Sequence, residues 1–128
     1  MTIIPIYAAL LALVFVGLSA LVIRQRGRAK VAIGWGGDAL LERFARIHAN
    51  FAEYVPLALL LLAMLEWKGL NPWALHGLGL VLLLGRIAHA YGMSQVQENF
   101  RIRATGMMAT FGVIVIAAIL LLLRSLPV

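Results

Sequence analysis

From Arg43 to Pro56 the chain reads Arg-Phe-Ala-Arg-Ile-His-Ala-Asn-Phe-Ala-Glu-Tyr-Val-Pro, opening a segment that is otherwise strongly apolar. On a helix turning roughly 100° per residue, Arg43, Arg46, Asn50, Glu53 and Tyr54 fall within about a 100° arc. Guanidinium groups grip carboxylates in two-point contact, an amide both donates and accepts, and a carboxylate holds an ammonium. The stripe therefore suits a small zwitterion carrying carboxylates and an amine. Ionisable groups inside a membrane span are costly, so the stripe marks either a site facing protein or a wet cavity, or a structural polar network between helices.

The sequence contains no cysteine. Disulfides, thiolate metal sites and a cysteine nucleophile are excluded, and any thiol chemistry needs a thiol brought by a ligand. Glutathione is a zwitterion of the required type. Its thiol titrates near a pH of about 8.5, and a neighbouring arginine favours the thiolate. Its partner would be a hydrophobic electrophile or lipid arriving from the bilayer, which would account for a site at a leaflet boundary.

The elements that position these residues are membrane helices. Of the 128 residues 63% are hydrophobic, against roughly 45–50% in a soluble domain. This predicts one all-α domain over residues 1–128, an integral membrane four-helix bundle with helices at about 3–23, 39–66, 72–97 and 104–124. The net charge of +6 sits in clusters, which speaks for membrane lipids and orientation rather than nucleic acid. Ile3–Ile23 is uncharged and reads as a span, not a signal peptide, because Arg24, Arg26, Arg28 and Lys30 follow it instead of preceding it. Ala8 and Ala12 are spaced to let another helix approach. Gly34-Trp-Gly-Gly37 breaks the chain without the features of a phosphate loop, and Asp38 is a plausible N-cap for the second helix.

The second helix is longer than the hydrocarbon core, so its stripe descends from the headgroups into one leaflet. Glu53, about 20 Å along the axis from Glu66, lies about 10 Å inside the bilayer. Pro56 frees the carbonyl of Ala52 and is expected to bend the helix beside Glu53. On the third helix Arg86, His89, Met93 and Gln97 share a face while Tyr91 points elsewhere. Arg86 needs a mate at its depth, and Glu53 is the expected one, as structure rather than chemistry. His89 reads as a hydrogen-bonded core histidine. His76 is placed near the far interface without a role. Trp35, Trp67 and Trp73 read as interfacial anchors. Gly106 and Thr110 form a second small-residue pair. Loop one carries Arg24, Arg26, Arg28 and Lys30, and loop three Arg101 and Arg103; loop two has only Lys68 and the tail only Arg124. The bias puts loops one and three in the cytoplasm and both termini outside.

Glu42-Arg-x-x-Arg46-x-x-x-Asn50-x-x-Glu53-Tyr-x-Pro56 resembles the second-helix signature of the MAPEG family, the membrane-associated proteins in eicosanoid and glutathione metabolism. Gly85-Arg-Ile-Ala-His89 is similar to the corresponding run of its prostaglandin E synthases. The resemblance covers the whole chain and is strongest to small members of the bacterial inner membrane. It implies a homotrimer binding glutathione between subunits, on the cytoplasmic side. By motif position Arg46, Asn50, Glu53 and Tyr54 would contact glutathione, with Arg43, Arg86 and His89 also at the site. Arg101 or Arg103, near the start of helix four, would activate the thiol. Met93 stands where eukaryotic members often have a tyrosine. The expectation is thus a membrane glutathione transferase or peroxidase. A non-catalytic lipid or glutathione binder is the alternative. A small multidrug transporter is disfavoured because the first helix lacks an acidic residue.

Overall fold

Three of the helix starts are fixed by side chains that take an otherwise unpaired N–H. Asp38 accepts from the Leu41 N–H at 2.7 Å, Asn71 from Trp73 at 2.9 Å and Asn99 from Ile102 at 3.3 Å. The first helix has no such cap of its own. The carboxylate of Glu66, at the far end of the second helix, accepts from the N–H groups of Thr2, Ile3 and Ile4 instead. In this computed structural model residues 1–126 are described, forming α1 (Ile4–Ala29), α2 (Ala39–Trp67), α3 (Pro72–Ser94) and α4 (Phe100–Leu123). Each helix is long and apolar enough to cross a membrane.

Three boundaries differ usefully from the sequence expectation. α1 continues six residues past Ile23, so the basic run to Arg28 is helical. Arginine is a good helix former, and Arg26 and Arg28 complement the negative end of the helix dipole. Lys30, at φ 55°, ends the helix. Arg26 then donates to the Gly34 carbonyl at 2.6 Å and ties the glycine loop back to the helix end. α3 stops at Ser94 rather than Gln97, and α4 starts at Phe100 rather than Ala104. Because Asn99 caps α4, Arg101 and Arg103 stand in its first turn, not in a loop.

α2 packs on all three other helices, and α1 and α4 lie on opposite sides of the α2–α3 pair. α2 runs without interruption through Pro56. The tightest approach is between α3 and α4. A Cβ added at Gly106 would stand 2.5 Å from the Gly85 carbonyl oxygen and 2.6 Å from the His89 nitrogen. In lipid, helices gain little from the hydrophobic effect between them, so close packing through such small residues is a main source of association. Leu11, Ile47, Leu62, Leu82 and Val113 fill the core between the helices.

Candidate functional site

α2 divides its polar stripe between two environments. Asn50 turns toward the bundle, whereas Arg46 and Glu53 face outward and are exposed. Seven residues bring a helix back to within about 20° of the same direction, so Arg46 and Glu53 lie nearly in line, about 10 Å apart along the axis. Neither has a hydrogen-bond or ion-pair partner among the described residues. The other deep cation, Arg86, is buried at 1% exposure.

The expected Arg86–Glu53 pair does not form. Arg86 donates through Nη2 to Asn50 Oδ1 at 2.6 Å and lies 3.2 Å from His89 Nδ1. Its Nη1 donates to Thr110 Oγ1 at 3.3 Å and touches the Met107 sulfur at 3.8 Å. The guanidinium carbon sits 5.8 Å from the centre of the Phe51 ring. The reason is rotation: Glu53 lies about 60° around α2 from Asn50 and points away from α3. Arg86 is therefore solvated by neutral dipoles and a ring face, and its buried Nε has no partner among the described residues. Since Asn50 Oδ1 is occupied by Arg86, the Asn50 amide presents its NH₂ as the free donor. His89 is a hydrogen-bonded core residue, as expected, with its Nδ1 toward Arg86.

At the basic end the stripe continues into a charge cluster that sequence reasoning missed. Glu98 accepts from Arg43 at 2.9 Å and is paired with Arg103, so one carboxylate joins α2, loop three and α4. Arg43 also reaches the Met93 carbonyl at 3.4 Å. The hydrogen bonds from Arg43 and Arg103 hold the Glu98 carboxyl below its ordinary value of 4.5. Two guanidinium groups on one carboxylate leave a net positive charge. The available signal was that Glu98 is the sole acidic residue between α3 and α4, beside two arginines and level with Arg43. Arg43, Arg46, Glu42 and Met93 line a recess of about 260 Å³ here. Arg101 is exposed on the other side of the α4 turn and has no ion-pair partner among the described residues.

The remaining expectations divide plainly. Tyr54 packs edge-on against Phe111 at 5.3 Å, between α2 and α4. Tyr91 is 57% exposed and turned away from the stripe. Gln97 lies beyond the end of α3, off the face shared by Arg86 and His89. His76 has a partner after all: Tyr7 Oη lies 3.0 Å from its Nδ1 and donates to its carbonyl at 3.1 Å. His48 stacks on Phe15 and lies 3.0 Å from Ser19 Oγ, a polar link between α1 and α2. Ala8 and Ala12 line an apolar groove of about 290 Å³ that includes Pro56.

The model described as MAPEG family matches residues 4–123. The Inner membrane protein YecN of Escherichia coli (strain K12) is 42% identical over 106 residues, covering 83% of this chain and 79% of that protein. The protein of the same name in Escherichia coli O6:H1 (strain CFT073) matches to the same extent, 42% over 106 residues.

Proposed function

The chain belongs to the MAPEG family, and from that premise we propose that it is a homotrimeric glutathione transferase of the bacterial inner membrane. The observation that carries this reading is Glu53. It is exposed on an apolar helix at a depth of about 10 Å, with no partner among the described residues. An ionised carboxylate in hydrocarbon is costly, so Glu53 either takes up a proton or meets water, a neighbouring subunit or a ligand, and the ligand is the reading taken. Arg46 stands nearly in line with it, and the free Asn50 NH₂ lies beside them. A glutathione lying along α2 satisfies all three: carboxylates on Arg46 and Asn50, ammonium on Glu53.

The cationic first turn of α4 then stabilises the sulfur anion. Arg103 is the group assigned, because it faces the Arg43–Glu98 cluster at the end of the same stripe. Arg101 faces away. The thiol gives its proton to solvent, the thiolate attacks an electrophilic carbon, a carbon–sulfur bond forms and the leaving group departs with its electron pair. Lowering the energy of that anion is the whole of the catalytic task assigned to the arginine.

The test is to mix the purified protein with glutathione and a chromogenic aryl halide. Thiolate absorbance on binding, followed by turnover, supports the enzyme. R103Q should lose the thiolate signal while keeping most of its glutathione affinity, and R101Q should change it far less. Glutathione affinity without thiolate or turnover supports the second reading, a glutathione or lipid binder. Tyr91, exposed and turned away from the stripe, favours that reading. No affinity at all removes both.

A further inference from the structure

A second apolar groove, of about 270 Å³, runs between α1 and α3 on the half of the bundle nearest loops one and three. Its walls are Val14, Leu18 and Leu21 from α1 and Ile87 and Ala90 from α3, with Tyr91 at its rim. None of the glutathione-site residues proposed above lines it. Directly above Leu21, the part of α1 that was not expected to be helical carries the basic run. At roughly 100° per residue Arg28 falls about 20° from Leu21, and Arg24 about 60° from it on the same side. Both are exposed and neither has a hydrogen-bond or ion-pair partner among the described residues. Gln25, about 40° to the other side of Leu21 and nearly in line with Leu18, donates to Asp38, and Arg26 donates to the Gly34 carbonyl. Lys30, at the helix end, is also exposed without a partner among the described residues but stands about half a turn around from Leu21, so the free cations nearest the groove are Arg24 and Arg28.

The depths agree. Ile4 to Ile23 gives about 30 Å of rise, the thickness of the hydrocarbon core, so Arg24 begins the headgroup layer. Arg28 stands about 6 Å further out, and the headgroup layer is about 5–7 Å thick on each side. An apolar slot that opens within one leaflet beneath two stacked guanidinium groups has the shape and charge of one molecule. We propose that this groove is a binding site for an anionic phospholipid, with an acyl chain along Leu18, Leu21 and Ile87 and the phosphate held by Arg24 and Arg28. The Tyr91 hydroxyl, at the rim, is placed as a further donor to the headgroup. Arginine forks match phosphate oxygens in two-point contact. The charge supplies preference for anionic over zwitterionic lipid, and the slot supplies preference for lipid over a soluble phosphate.

The experiment uses the delipidated protein in neutral detergent, with phosphatidylglycerol and phosphatidylcholine of identical chains as probes. Native mass spectrometry reads retained lipid and thermal unfolding reads stabilisation. Phosphatidylglycerol should be retained and should raise the melting temperature, whereas phosphatidylcholine and glycerophosphate should do neither. The R24Q/R28Q double variant should weaken phosphatidylglycerol retention about thirtyfold, two surface charges' worth. L21W, which fills the slot and leaves the charges, should also weaken it. R124Q, at the other end of the bundle, is the control and should match the parent. Equal retention of the two lipids, or an unchanged double variant, overturns the proposal. So does an L21W variant that alters oligomeric state but not lipid retention, since a second copy of the chain would then be the occupant.

Discussion

Asn50 and Glu53 are three residues apart on one stripe and have opposite roles in the protomer. Asn50 supplies the shortest acceptor to a buried guanidinium that has no carboxylate, 2.6 Å away. Removing it should cost about 1.5–3 kcal/mol, the range for a hydrogen bond to a charged group. Glu53 has no partner within the protomer among the described residues. E53Q should leave unfolding in detergent within about 0.5 kcal/mol of the parent while glutathione affinity falls at least tenfold. N50A should lose both. Titration of glutathione beside a denaturation curve for each variant separates the two cases, and an E53Q protein that binds normally would remove Glu53 from the site. Glu98 supports a pH prediction. Its folded-state value is depressed, so its contribution is fully present above about pH 4.5 and is lost as pH falls through the lower folded-state value. The group and its arginines are partly exposed, so the contribution is at most about 1 kcal/mol and is screened by salt. Unfolding between pH 3 and 7 should show that acid loss in the parent and not in E98Q.

At the level of helices, α3 and α4 are held by a close approach that side chains would prevent. G106A would push a methyl against the Gly85 carbonyl and the His89 nitrogen, both backbone. It should destabilise by about 1–3 kcal/mol and loosen the Thr110 contact with Arg86. Gly112, one and a half turns further along, has open space at its Cβ position. G112A should be neutral or gain up to about 1 kcal/mol from helix propensity. Thermal unfolding of the pair checks both signs. This contrast shows what was legible in the residues. The small pair Gly106 and Thr110, the Asp38 cap and the alignment of Arg46 with Glu53 follow from periodicity within one helix and were readable, whereas the turn of Asn50 into the bundle was not. The Arg86–Asn50 bond depends on the rotation of α3 against α2, which no single helix encodes. Glu66 as a cap for α1, and Glu98 as a bridge between α2 and α4, likewise join residues 62 and 55 positions apart. The extra turns of α1 were missed because the membrane length of the apolar run was taken for the length of the helix.

For the whole molecule, charge is distributed by end. Arg24, Arg28, Arg43, Arg46, Arg101 and Arg103 gather at the end of the bundle with loops one and three, and Lys68 and Arg124 at the other, where Arg124 donates to the Lys68 carbonyl. The first set includes every arginine assigned above to glutathione or phosphate, so function and orientation rest on one asymmetry. The basic-loop rule predicts that this end faces the cytoplasm. The chain has no cysteine, so a single introduced thiol reports its own side without background. A32C lies in exposed loop one and K68C in exposed loop two, and K68C removes a basic residue from the sparser side, which reinforces the charge bias. In intact cells a membrane-impermeant maleimide should label K68C and spare A32C, and permeabilisation should make A32C reactive. The reverse pattern would put the Arg46–Glu53 stripe on the outer leaflet. It would then have to be explained by a solute of that compartment, or by neighbouring subunits alone.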